Sequence, residues 1–150
     1  MRTIKGIEEM RSLKGEHLGY SEWHEVTQEQ VNLFAEATGD HQWIHIDPER
    51  AKEGPFGRTI AHGYFTISMA PMLMSEVIRQ EGVRMGVNYG INKLRFPAPL
   101  PVGEKVRMGV QLKEVDDIEG GVQSTYELTF EVDGQAKPAC VAEVIYRSYV

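Results

Sequence analysis

An α+β fold is predicted, in which a curved antiparallel sheet wraps around one long apolar helix, and three observations predict it. From Tyr64 to Ile78 apolar side chains cover every side of a helical projection, the mark of a helix buried all round. Beyond Val87 the chain changes to alternation with a period of two, the pattern of strands with one covered face. No second long apolar helix is available to cover such a sheet, so wrapping it around the first is the economical arrangement.

The chain of 150 residues suits one domain, 1–150, with one sizeable core. Charged residues at 25% and apolar ones at 41% sit near globular averages. A net charge of −6 gives no general reason to bind nucleic acid or an anionic membrane. Gly63 to Ile78 is shorter than the roughly 20 residues that cross a bilayer, and it contains Pro71 and Glu76. The single cysteine, Cys140, rules out an internal disulfide framework and fits a reducing compartment. Met1-Arg2-Thr3-Ile4-Lys5 lacks the apolar core of a signal peptide, so the cytoplasm is expected.

In chain order, Ile7, Met10 and Leu13 predict a short helix closed near Gly15. Tyr20, Trp23 and Val26 suggest a strand over Gly19 to Val26. Thr27-Gln28-Glu29-Gln30 is a capping box that starts a helix, with Val31, Phe34, Ala35 and Thr38 on its buried face and Gly39 at its end. Asp47-Pro48 caps a second, short helix to about Lys52. Asp40 to Ile46 is therefore a connection held at both ends. Gly54-Pro55-Phe56-Gly57-Arg58 reads as loop. The apolar helix, His62 to Gln80, would span roughly 28 Å with a kink at Pro71.

The run Val87 to Phe96 changes phase near Gly90, as a β-bulge would make it do. Pro97, Pro99 and Pro101 end that strand. Val106 to Leu112, Ser124 to Val132 and Ala139 to Tyr146 then alternate as three antiparallel strands, with a tight turn at Asp133-Gly134.

Ala35 to Phe65 concentrates candidate chemistry: His41, His45 and His62, with Asp40 and Asp47. Asp40 and His45 on one braced connection can hold a water between them and supply an acid/base couple. Each also has a plainer role, Asp40 as a turn residue and His45 as a hydrogen-bonded core histidine. His62-Gly63 opens the apolar helix, where the first N–H groups have no helical partner and can receive an oxyanion. Gly63 equally allows close helix packing. His41 and His45 form H-x-x-x-H, but zinc binding through that spacing needs a helix where a connection is expected, so no metal is assigned. Asp47 is explained as a cap. Lys93 and Arg95 share a strand face and could meet phosphates or simply form a solvated edge.

The runs G-D-H-Q-W-I-H-I-D-P-E-R-A and G-P-F-G-R-T-I-A-H-G, with the later N-Y-G-I-N-K-L-R-F-P-A-P-L-P-V-G, resemble the MaoC-like family of (R)-specific enoyl-CoA hydratases. The likeness is nearest to short single-domain actinobacterial hydratases and nodulation-protein-N-like members. It implies a hot-dog fold and a homodimer with joined sheets and acyl-CoA sites at or near the interface. It also implies hydration of a trans-2-enoyl-CoA without a cofactor: Asp40 and His45 as the dyad, and the Gly63 N–H on the thioester carbonyl. Gln42, His62, Lys93 and Arg95 would then bind substrate. This chain has Gln42-Trp43 where the family commonly has Asn-Pro. Gln42 can offer the same amide one methylene further out, and Trp43 bears on pocket shape. The alternatives within reach are an acyl-carrier-protein dehydratase, a hot-dog thioesterase and a non-catalytic acyl-CoA-binding protein.

Overall fold

The protein is described by a computed structural model covering residues 1–150. Its larger sheet has six strands. Strands β2 (His17–Tyr20), β6 (Lys105–Ile118), β7 (Gly121–Val132), β8 (Cys140–Tyr149) and β5 (Met85–Arg95) lie in that spatial order, and β3 (His24–Glu25) also pairs with β6. The pairings are antiparallel. On β7, Val122, Tyr126, Leu128, Phe130 and Val132 are buried every second residue. Across this apolar face lie α5 (Gly63–Ser68) and α6 (Ala70–Val77), whose Phe65, Leu73, Met74 and Val77 complete the core. This is the hot-dog arrangement.

The expected single helix from His62 to Gln80 is corrected in three ways. Pro71 has no N–H to offer the preceding turn, and the chain divides just before it, so that Pro71 sits in the first turn of α6, where no bond is lost. The helix ends at Val77, because Ile78 is extended (φ −130°, ψ 146°) and opens β4 (Ile78–Glu81). The partner of β4 is β1 (Arg2–Lys5), a parallel pairing with no signal in either short run. Burial is also incomplete, with Tyr64 70% and Met72 45% exposed.

Elsewhere local chemistry holds. Thr27 and Gln30 make both bonds of the capping box at the start of α2 (Gln28–Thr38), and Gly39 closes it in the left-handed conformation, φ 82°. Asp47 caps α4 (Pro48–Lys52) by accepting from the Arg50 N–H. The strand expected over Gly19 to Val26 is instead two short strands, β2 and β3, both lying on β6. Bulges in β5 leave Tyr89 and Asn92 without cross-strand partners, the first beside Gly90 as expected and the second unforeseen. The Asp40 to Ile46 connection contains a helical turn, α3 (Trp43–Ile46).

Candidate active site

His45 is held on four sides. Its α3 turn closes through its own N–H, which donates to the Gln42 carbonyl at 3.0 Å. Its ring Nδ1–H donates to the Ile60 carbonyl at 2.7 Å, and the Ile60 N–H returns to the Ile44 carbonyl at 3.0 Å. Gln28, in the first turn of α2, donates from Nε2 to the His45 carbonyl at 2.7 Å and accepts from the Thr59 hydroxyl at 2.7 Å. The fourth side is His62, whose ring stacks on His45 with centroids 3.9 Å apart and planes at 26°.

Because a carbonyl can only accept, Nδ1 of His45 carries the proton in the neutral ring and Nε2 carries the lone pair. Burial lowers the His45 pKa from its ordinary value, and the neighbouring His62 adds to that, outweighing the carbonyl bond. His45 is therefore a neutral imidazole at pH 7, the form able to take a proton.

Asp40 leaves α2 directly after Gly39, and its carboxylate accepts from the Gln42 N–H at 3.3 Å. The Asp40 carbonyl accepts from Nε2–H of His62 at 3.0 Å, so His62 joins the two halves of the site. One ligand-capable atom each from Asp40, His45 and His62 lies within 4.8 Å of the others. A single water making hydrogen bonds of ~2.8 Å to two acceptors spans such a gap. Planes tilted by only 26° at 3.9 Å do not meet within bonding distance of both rings, so the two imidazoles are poorly aimed for one metal ion. His41 is turned away, with Nε2 2.8 Å from Glu36, and takes no part in the trio.

Gly63 is the first residue of α5, and no hydrogen bond in the structure uses its N–H. It borders a cavity of about 290 Å³ together with Ala61, Thr66, Phe56, Phe96 and Leu100. A Cβ at Gly63 would stand 2.8 Å from the Phe96 ring, so the close-packing role read from sequence is real and coexists with the free donor.

Residues 9–133 match the family model for the MaoC-like domain. The chain belongs to that family. Among curated relatives of this MaoC-like chain, 3-hydroxyacyl-thioester dehydratase Z of Mycobacterium tuberculosis is 54% identical over 98% of both chains. Nodulation protein N of Rhizobium leguminosarum is 43% identical over 87% of this chain and 83% of its own. Among solved structures, an (R)-hydratase from A. caviae involved in PHA biosynthesis superposes with a TM-score of 0.72 at 23% identity, over 87% of this chain and 95% of that one. That likeness establishes the fold.

Within this MaoC-like site, the side chains named from sequence divide into two groups. Asp40, His45 and His62 come together, and Gly63 adjoins them through His62. Gln42 contributes its backbone, while its side chain is exposed and makes no hydrogen bond. Trp43 packs against Gly54 with the Arg50 guanidinium 4.4 Å over its ring, and lines none of the larger cavities. Lys93 and Arg95 are exposed on β5, with Lys93 paired opposite Glu143, and neither borders the cavity at Gly63. Gln28 and Thr59 also belong to the site, through their bonds behind His45. In sequence, Gln28 is only part of a helix start, and nothing there announces its bond to His45.

Proposed function

We propose that this hydro-lyase is an (R)-specific enoyl-CoA hydratase, adding water reversibly to a trans-2-enoyl-CoA to give an (R)-3-hydroxyacyl-CoA. The observation that carries the reading is the neutral His45 imidazole, proton fixed on Nδ1, with Asp40 and His62 within 4.8 Å. A 54% identical relative named a 3-hydroxyacyl-thioester dehydratase supports the same chemistry, since dehydration is the reverse reaction.

In this reading a water sits between Asp40 and His45. As its oxygen bonds to C3, Nε2 of His45 takes one of its protons. The electron pair of the double bond moves toward the thioester and becomes an enolate, whose oxygen receives the N–H of Gly63. A preorganised donor of this kind is typically worth about 3–4 kcal/mol. The enolate then collapses, with C2 taking a proton from the couple, so water has been added across the bond and no cofactor is consumed.

Lys93 and Arg95 are assigned to the coenzyme A phosphates, as exposed cations on β5. Val87, Tyr89 and Ile91 are 38%, 54% and 49% exposed on the same edge strand, an apolar edge that suits sheet-to-sheet pairing in a homodimer. No helix is long and apolar enough to cross a membrane, and the one thiol, Cys140, is buried and free, with burial pushing its pKa up to about 12. The free thiol suits a reducing, cytoplasmic setting, which is proposed here.

A panel of enoyl thioesters tests the reading. Coenzyme A and acyl-carrier-protein substrates are compared by loss of enoyl absorbance, and the product is resolved by chirality. Faster turnover of the coenzyme A series with (R) product is expected. An (S) product, or turnover confined to the carrier protein, contradicts it.

A further inference from the structure

The inner face of the large sheet is apolar except in one place. Inward positions on β7 and β8 are Leu128, Phe130, Ala142 and Val144, but a polar row then crosses three strands. Ser124 on β7 pairs with Tyr146 on β8, which pairs with Asn88 on β5, and Ser148 lies one inward step further along β8. These groups are poorly satisfied. Ser124 is 1% exposed and its hydroxyl has no partner. Gln80, on β4, accepts from the Ser148 hydroxyl at 3.1 Å, while its buried Nε2 donates to nothing. The buried Tyr126 hydroxyl has the Met10 sulfur at 3.8 Å and the Ser124 side chain beside it. Leaving a buried polar atom unpaired costs roughly 1–3 kcal/mol, so a cluster of them calls for a reason.

The row borders a cavity. Gln80, Tyr126, Tyr146 and Ser148 with Met74 and Ile78 line a space of about 280 Å³. It shares Pro71, Asn88 and Tyr146 with a second, of about 420 Å³, whose other walls include Ile67 and Ile91. The 290 Å³ cavity at Gly63 shares no wall residue with that space, but Thr66 in its wall and Ile67 in the wall of the other are consecutive on α5. The three succeed one another along α5 and α6, beside β5. From Gly63 to Met74 is eleven residues, roughly 17 Å of helix. A thioester held at Gly63 would send its acyl chain down this apolar passage to a polar end.

We propose that the polar row is a subsite for an oxygen, hydroxyl or carbonyl, near the far end of a long acyl chain, with Gln80 Nε2 as the donor. The occupant follows from continuity with Gly63 and from the mismatch between an apolar passage and its hydrogen-bonding floor. A plain alkyl tail reaching that floor would return no bond to Gln80, Tyr146 or Ser148. A tail oxygen supplies the partner that Gln80 Nε2 lacks. The proposal rests on the placing of the thioester at Gly63.

The test uses matched long enoyl-CoA substrates of one length, ending in a methyl group or in a hydroxyl, with the intact protein. Wild type is expected to favour the hydroxylated chain about tenfold in kcat/KM, the worth of one added hydrogen bond. Gln80→Leu and, separately, Tyr146→Phe should shrink that ratio toward one. Equal handling of the pair by wild type, a preference for the methyl chain, or a ratio unchanged in both folded variants overturns the subsite. Titration calorimetry with the two saturated acyl-CoAs reads the same preference without turnover. Wild type that binds the hydroxylated chain more tightly yet fails to hydrate even crotonyl-CoA would overturn the catalytic reading and leave the subsite standing. Equal binding of the two chains overturns the subsite whether or not turnover occurs.

Discussion

Nδ1 of His45 donates to the carbonyl oxygen of Ile60 at 2.7 Å, fixing which ring nitrogen is bare. Ile60 stands three residues before Gly63, so the segment that orients the proposed base also carries the proposed oxyanion donor. Displacing one should displace the other.

Gln28 braces that relationship without being placed against substrate, bonding the His45 carbonyl and the Thr59 hydroxyl at 2.7 Å each. Gln28→Met keeps the length and removes both bonds. Expected outcomes are a fall in kcat of about tenfold, as for a misplaced base, with KM little changed, and a stability loss of about 1–2 kcal/mol in urea titration. Thr59→Val removes only the second bond and should cost less on both measures.

Gly63→Ala retains the N–H and adds a methyl 2.8 Å from Phe96. Activity should fall by tenfold or more, since a shift of about 1 Å at a reacting centre can cost that much. Phe96→Leu in the same chain should restore part of it. Restoration shows that the methyl acts through the ring; an unrestored double variant would show that the glycine backbone itself is required.

His45 has its pKa lowered by burial first and by His62 next. The proposed hydration needs the neutral ring, so the acid limb of kcat/KM should have its midpoint below the ordinary imidazole value of about 6.5. The sign for stability follows from the same shift. The unfolded chain, with the higher pKa, takes up the proton first as pH falls. His45 therefore contributes stability above the ordinary imidazole range that is lost as pH drops through it toward the folded value. Urea midpoints between about pH 8 and pH 5 check this, and His45→Gln should flatten that part of the curve.

The edge of β5 yields to a simpler measurement. If Val87 and Ile91 meet a second copy, Ile91→Lys should move the protein from dimer to monomer in sedimentation equilibrium, as a charge on a pairing edge does.

What the sequence disclosed, and what it hid, divide by the range of the forces involved. The Thr27-Gln30 box, the Asp47 cap and the alternation in β6 to β8 are local, and each reappears in the fold. The end of the apolar helix is not legible in sequence because Ile78 is as suited to a helix by its hydrophobicity as to a strand. What turns the chain there is pairing with Arg2–Lys5, more than seventy residues away. Asp40 and His45 are visible as a pair because they stand only five positions apart. The brace from Gln28 and the stack with His62 are not, since both depend on segments brought together by the folded core.

Hydration of crotonyl-CoA by Asp40→Asn and His45→Gln most directly tests whether these two side chains act as one couple. Each variant should keep its circular dichroism spectrum and lose at least about a hundredfold in kcat, the usual worth of a positioned acid or base. Near-normal turnover in either folded variant would contradict the account.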